Sequence, residues 1–122
     1  MAIRSNISPA PIALAAVSTD TTLLAAVTGS RFGITGMSIF NTTASTGLTV
    51  DIYDSSNTTS ASGTKIASYT IDGNSSIDVV ELIGQGVAAT RNIIGRVTTS
   101  GATLGQLNCK ISYTQYSGSD AI

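Results

Sequence analysis

Leu107-Asn-Cys-Lys-Ile-Ser-Tyr113 sets Leu107, Cys109, Ile111 and Tyr113 on one side of an extended chain and Asn108, Lys110 and Ser112 on the other. Successive side chains of a β-strand point to opposite faces, so this run reads as a strand with one buried and one wet face. Leu48-Thr-Val-Asp-Ile-Tyr53 repeats the pattern, with Leu48, Val50 and Ile52 alternating with Thr49, Asp51 and Tyr53. An amphipathic helix needs apolar positions three and four residues apart, and neither run has that spacing.

Outward from these two runs the chain reads as strands separated by turn residues. Further strands are expected over 22–27, 34–40, 65–71, 77–83 and 93–99, and the last strand over 107–116. The breaks are Thr28-Gly-Ser30, the cluster 41–47, the polar stretch 54–63, Asp72-Gly73, Gly84-Gln-Gly86 and Ser100-Gly101. Asp72-Gly73 reads as a hairpin turn, and Gly33 and Gly36 as signs of a bulge or close backbone approach. The run 77–83 is more continuously apolar and reads as buried on both faces. About seven or eight short strands with turn signals every 8–12 residues are the pattern of an antiparallel β-sandwich or barrel. The expected fold is all-β, a jelly-roll-like antiparallel sandwich. Its core should contain Met37, Ile39, Leu48, Val50, Ile52, Val80, Leu82, Leu107, Cys109 and Ile111. Ser8-Pro-Ala-Pro11 disfavours helix, so 1–20 is expected to be an extended N-terminal arm. Residues 21–116 would then be the sandwich and 117–122 a loose tail.

Composition argues against catalysis. The 122 residues include 18 Thr and 17 Ser, with no His, no Trp and a single Cys. Hydroxyl residues among Val, Ile and Leu build pleated sheets with polar faces, but the usual acid/base groups are missing. Cys109 has no internal partner and reads as a core residue. Net charge is −1 and only 11% of residues are charged. Arg4, Arg31, Lys65, Arg91, Arg96 and Lys110 are scattered, with no basic patch for a phosphate backbone, so no nucleic-acid partner is expected. A soluble monomer of this size usually carries more charge, which favours life in an assembly. No apolar run reaches the length of a membrane-spanning helix, and no membrane partner is expected. Pro11-Ile-Ala-Leu-Ala-Ala-Val17 is short for a signal peptide and follows Pro9, so it reads as part of the arm.

The chemical constellations are weak. Asp72, Asn74, Ser76 and Asp78 alternate like the start of a calcium loop. That motif also wants glycine at its sixth position and glutamate at its twelfth, where this chain has Ile77 and Ile83. No metal and no cofactor are expected. Asp51 and Asp54, three apart on a strand, point to opposite faces and cannot act as a carboxylate pair. Asn6, Asn41, Asn57 and Asn74 each begin an Asn-X-Ser/Thr triplet, and they read as turn residues rather than glycan sites. Two Phe and four Tyr equip the chain poorly for stacking on sugars.

The order of motifs resembles a known group of proteins. It runs from Thr21-Thr-Leu-Leu-Ala-Ala26 through Arg31-Phe-Gly-Ile-Thr-Gly-Met-Ser-Ile-Phe-Asn41 and Leu48-Thr-Val-Asp-Ile-Tyr-Asp54 to Leu107-Asn-Cys-Lys-Ile-Ser-Tyr113. This layout resembles small β-sandwich structural proteins of tailed-bacteriophage virions: capsid decoration (cement) proteins and accessory neck or tail proteins. The resemblance implies a non-catalytic protein that clamps the head shell, often as a trimer, with the major capsid protein or another virion protein as partner. It would be made in the host cytoplasm and carried on the virion. A neck, tail or fibre accessory protein and a carbohydrate- or receptor-binding module are the alternatives. The arm residues Ala2, Ile3, Ile7, Pro9, Pro11, Ile12, Leu14 and Val17 are the candidate docking site for the shell or a neighbouring copy.

Overall fold

A computed structural model describes residues 3–84, 86–87 and 90–117. Its strands are β1 (Ile3–Ile7), β2 (Ile12–Ala13), β3 (Asp20–Leu24), β4 (Ser30–Asn41), β5 (Leu48–Ser55), β6 (Gly63–Ile71), β7 (Ser76–Asp78), β8 (Gly86–Val87), β9 (Asn92–Val97) and β10 (Leu107–Ser117). One sheet runs β1-β10-β4-β7, with β2 beside β10 and β8 beside β4. The other runs β3-β9-β5-β6, and every pairing is antiparallel.

The pairings are nested. β1 pairs with β10, β3 with β9, β4 with β7 and β8, and β5 with β6. The chain is therefore one long hairpin rolled up, with β10–β4 and β9–β5 closing the two sheets. Counting β1/β2 and β7/β8 as interrupted strands leaves eight positions wound as a jelly roll.

One bulge accounts for both interruptions. Gly36 faces Ser112 but Ile34 faces Tyr113, so Thr35 is an extra residue on β4. A bulge bends its strand and disrupts the ladder locally. On one flank β7 pairs with 38–40 and β8 with 32–33, either side of Thr35. On the other flank β2 pairs with 108–109 and β1 with 113–117. Pro9 and Pro11 fall in that second gap, where their missing N–H groups cost no ladder bond.

The core lies between the sheets. Phe32, Ile34, Met37 and Ile39 of β4, with Leu107, Cys109 and Ile111 of β10, face Leu48, Val50, Ile52, Ile71, Ile93 and Val97. Phe32 and Tyr113 meet edge to face, centroids 5.1 Å apart. Of the expected core only Val80 fails: it is 64% exposed.

Three other expectations need correction. Residues 3–20 are not an arm. β1 and β2 are paired in the first sheet, Leu14 is in the core, and Ile12 and Val17 pack against it. The backbone of 12–14 bonds to β10, including Leu14 N–H to the Leu107 carbonyl at 2.9 Å, and the Leu14 carbonyl accepts the Gly105 N–H at 3.1 Å. The run 77–83 is a strand only to Asp78 and then a turn, because the bulge at Thr35 removes the ladder it would have followed. Asp72-Gly73 is not a hairpin turn: β6 and β7 lie in different sheets, and the turn crosses between them. Asn74 takes φ 60° there, and a Cβ on Gly73 would stand 2.6 Å from the Ser45 backbone nitrogen. Ser117 belongs to β10, and the rest of the expected tail lies outside the described residues.

Candidate interaction surface

Among the described residues the charged side chains are arranged differently on the two sheets. In the β3-β9-β5-β6 sheet each carboxylate has a cation: Asp20 with Arg96 at 3.0 Å, Asp51 with Lys65 at 3.2 Å, and Asp54 with Arg91 at 2.8 Å. Asp20 also accepts the Ser60 N–H at 2.9 Å, which ties the 3₁₀ turn Ser60–Ser62 to β3. Burial alone raises the Asp20 pKa. The hydrogen bonds from the Ser60 backbone and hydroxyl, with the Arg96 guanidinium, outweigh it and hold the carboxyl below its ordinary value. Asp51 lies on the outer side of the sheet but is buried beneath its partners, with Ser68 donating to it at 2.6 Å, and Thr49 and Thr70 share a hydrogen bond at 2.8 Å. Asp54 lies with Arg91 on the rim of a cleft, so the two aspartates diverge as alternation requires.

In the β1-β10-β4-β7 sheet the charges are sorted instead. Arg4 on β1 and Arg31 on β4 both lie against the Tyr116 ring of β10, at 5.2 and 5.7 Å from its centroid. Lys110 of β10 donates to Ser8 Oγ at 3.0 Å and to the Pro9 carbonyl. The carboxylates Asp72, Asp78 and Glu81 lie at the opposite edge, on and around β7, and make no ion pair among the described residues.

The turn after β7 is held rigidly. Val79 N–H donates to the Met37 carbonyl at 2.9 Å and Gly84 N–H to the Ile34 carbonyl at 2.7 Å. Gly84 takes φ +86°, a conformation that suits glycine. Val79 and Leu82 are buried as anchors, while Val80 and Ile83 stand 64% and 41% exposed on either side of the exposed Glu81. Beneath the turn, a cleft of about 380 Å³ opens between the sheets, lined by Ile66, Leu82, Val87 and Ile93, with Asp54, Arg91 and Glu81 on its lining as well.

The residues expected to dock do not form one surface. Leu14 is buried, and Ile12 and Val17 are packed on the core. Ile3 and Ile7 supply backbone to the β1–β10 ladder. Pro9 is half-buried under Lys110 and Pro11 is exposed. Ala2 lies outside the described residues. Asn41, expected as a turn residue, is fully buried. Its Nδ2 donates to the Thr46 and Ile71 carbonyls at 2.8 and 2.7 Å, and its Oδ1 accepts the Thr43 N–H and hydroxyl at 2.9 and 2.7 Å. It is therefore closed to any glycan. Among the described residues no three His, Cys, Asp or Glu side chains gather as a metal site. No helix there is long and apolar enough to cross a membrane. Cys109 is buried, and burial pushes its thiol up to about 12, far from the reactive thiolate range.

Fold and surface together define a jelly-roll sandwich that offers edges and a protruding turn. No protein-family model matches the chain, and no curated protein matches it. Among solved structures it is similar to the capsid chain of the T13 infectious bursal disease virus particle, at 13% identity and a TM-score of 0.43 over 98% of this chain and 32% of that one. A mutant VP2 protein of the same virus, in T=1 particles, gives 15% identity and a TM-score of 0.40 over 98% and 33%. The VP2 subviral particle gives 15% and 0.36 over 94% and 32%. The chain thus spans about a third of the length of these proteins.

Proposed function

We propose that this chain is a non-catalytic structural protein of a virion, a decoration protein that binds the head shell and stabilises it as a homotrimer. It is made in the host cytoplasm and carried on the particle, with the major capsid protein or another virion protein as its partner. The observation that carries the reading is a rigid jelly roll whose distinctive surface features are association features: open strand edges, sorted charges and a fixed apolar turn. Jelly rolls serve in capsid and in lectin domains alike, so the fold does not choose between them. The aromatic side chains favour the structural role. Tyr113 packs on Phe32, Tyr69 packs on the core, and Tyr116 carries Arg4 and Arg31. Few rings are left to stack on a sugar. Weak single contacts repeated over a symmetric shell make release slow through avidity.

The test heats particles of the virus that encodes this chain, with and without the protein, and compares the temperature of genome release. A higher temperature with the protein bound supports decoration. Equal temperatures, with the protein confirmed on one set, reject it.

A further inference from the structure

Arg4 lies against the Tyr116 ring but makes no ion pair among the described residues, and neither does Asp78 or Glu81. β1 and β7 are three strand spacings apart, about 14 Å, beyond the Debye length of about 8 Å at physiological salt. Arg4 on one edge therefore does little to neutralise Asp78 and Glu81 near the other. Among the described residues β1 pairs only with β10 and β7 only with β4, so each edge strand has one side without a described strand partner. Exposed strand edges recruit other strands unless something covers them.

The two edges are unlike each other and complementary. One carries a guanidinium on an exposed strand. The other carries carboxylates that make no ion pair among the described residues, with Val80 and Ile83 on a turn held by backbone hydrogen bonds. Prior fixing of that turn lowers the ordering cost of binding. Val80 is 64% exposed, and Glu81 makes no ion pair among the described residues.

We propose that copies of this chain associate head to tail, the β1 edge of one against the β7 edge of the next, with Arg4 of one copy meeting Glu81 of its neighbour across an apolar contact at Val80 and Ile83. Such a heterologous contact closes into a ring or grows as a filament. The inference rests on the oligomer reading above, whose trimer corresponds to closure after three copies.

The experiment measures the mass of the full chain by sedimentation velocity over a concentration series. It compares the wild type with Arg4→Glu, Glu81→Arg, their double charge swap, and Val80→Asp. All three positions are exposed, and a melt of each dilute variant confirms folding. Each single reversal should weaken association by about tenfold or more, and the double swap should restore it. Val80→Asp should weaken it without changing the monomer's melt. A wild type that stays monomeric at low salt overturns both this interface and the trimer. An oligomer indifferent to both reversals, or a double swap no better than the singles, overturns the interface and leaves the trimer standing.

Discussion

Leu14→Ala tests whether the first twenty residues belong to the sandwich. Leu14 is 1% exposed, and its Cδ2 stands 3.3 Å from where a Cβ on Gly95 of β9 would be. Its own backbone is bonded to Leu107 of β10 and to Gly105. The side chain thus bridges the two sheets. Removing three carbons at about 0.8 kcal/mol each loses about 2.4 kcal/mol of transfer energy. An unrelaxed cavity adds to this, and measured Leu→Ala costs at buried sites run about 2.7–5 kcal/mol. At about 2.1 cal/mol/K of unfolding entropy per residue, 122 residues give about 0.26 kcal/mol/K, so a loss of about 3 kcal/mol lowers Tm by about 12 °C. Circular dichroism melts and urea titrations of the wild type and Leu14→Ala measure the change, with the exposed Pro11→Ala as control. A Leu14→Ala change no larger than that of Pro11→Ala would refute the packing and return 1–20 to the status of an arm.

Three further outcomes are expected. Asn41→Ala removes the Nδ2 donor from the buried Ile71 carbonyl, while the Thr46 carbonyl keeps the Thr43 hydroxyl, and should cost about 1–3 kcal/mol in urea unfolding; Asn41→Asp should do no better, because a carboxylate cannot donate to the Ile71 carbonyl. Tyr69 Oη is buried with no hydrogen-bond partner among the described residues, so Tyr69→Phe should leave Tm unchanged or raise it, and a large drop would reveal a partner. The folded pKa of Asp20 lies below its unfolded value, so its stabilisation is present above the unfolded pKa of about 3.9 and is lost as pH falls through the folded one. With no histidine in the chain, Tm should be nearly flat from about pH 5 to 8 and fall in acid, and Asp20→Asn should flatten part of that acid limb.

Alternation at 48–53 and 107–113 was enough to identify strands, their wet and dry faces and most of the core, because the period of a strand is a local property of the chain. The scarcity of titratable groups was equally plain, since composition does not depend on folding. Gly36 marked the neighbourhood of the bulge for the same reason: a glycine inside a strand pattern signals a local break. Other features depend on partners far away in sequence. The segment around Leu14 has Pro and Ala like an unattached arm, and only the carbonyl of Leu107 and the space over Gly95 make it a strand of the sandwich. Val80 has the composition of a buried strand residue, yet the extra residue at Thr35, on another strand, ends its ladder and turns it outward. Asn41 looks like any turn asparagine until Thr46 and Ile71 converge on its amide. The pairing of charges in one sheet and their sorting in the other follow from the order of strands. That order is set by nested long-range pairing, which no local pattern encodes.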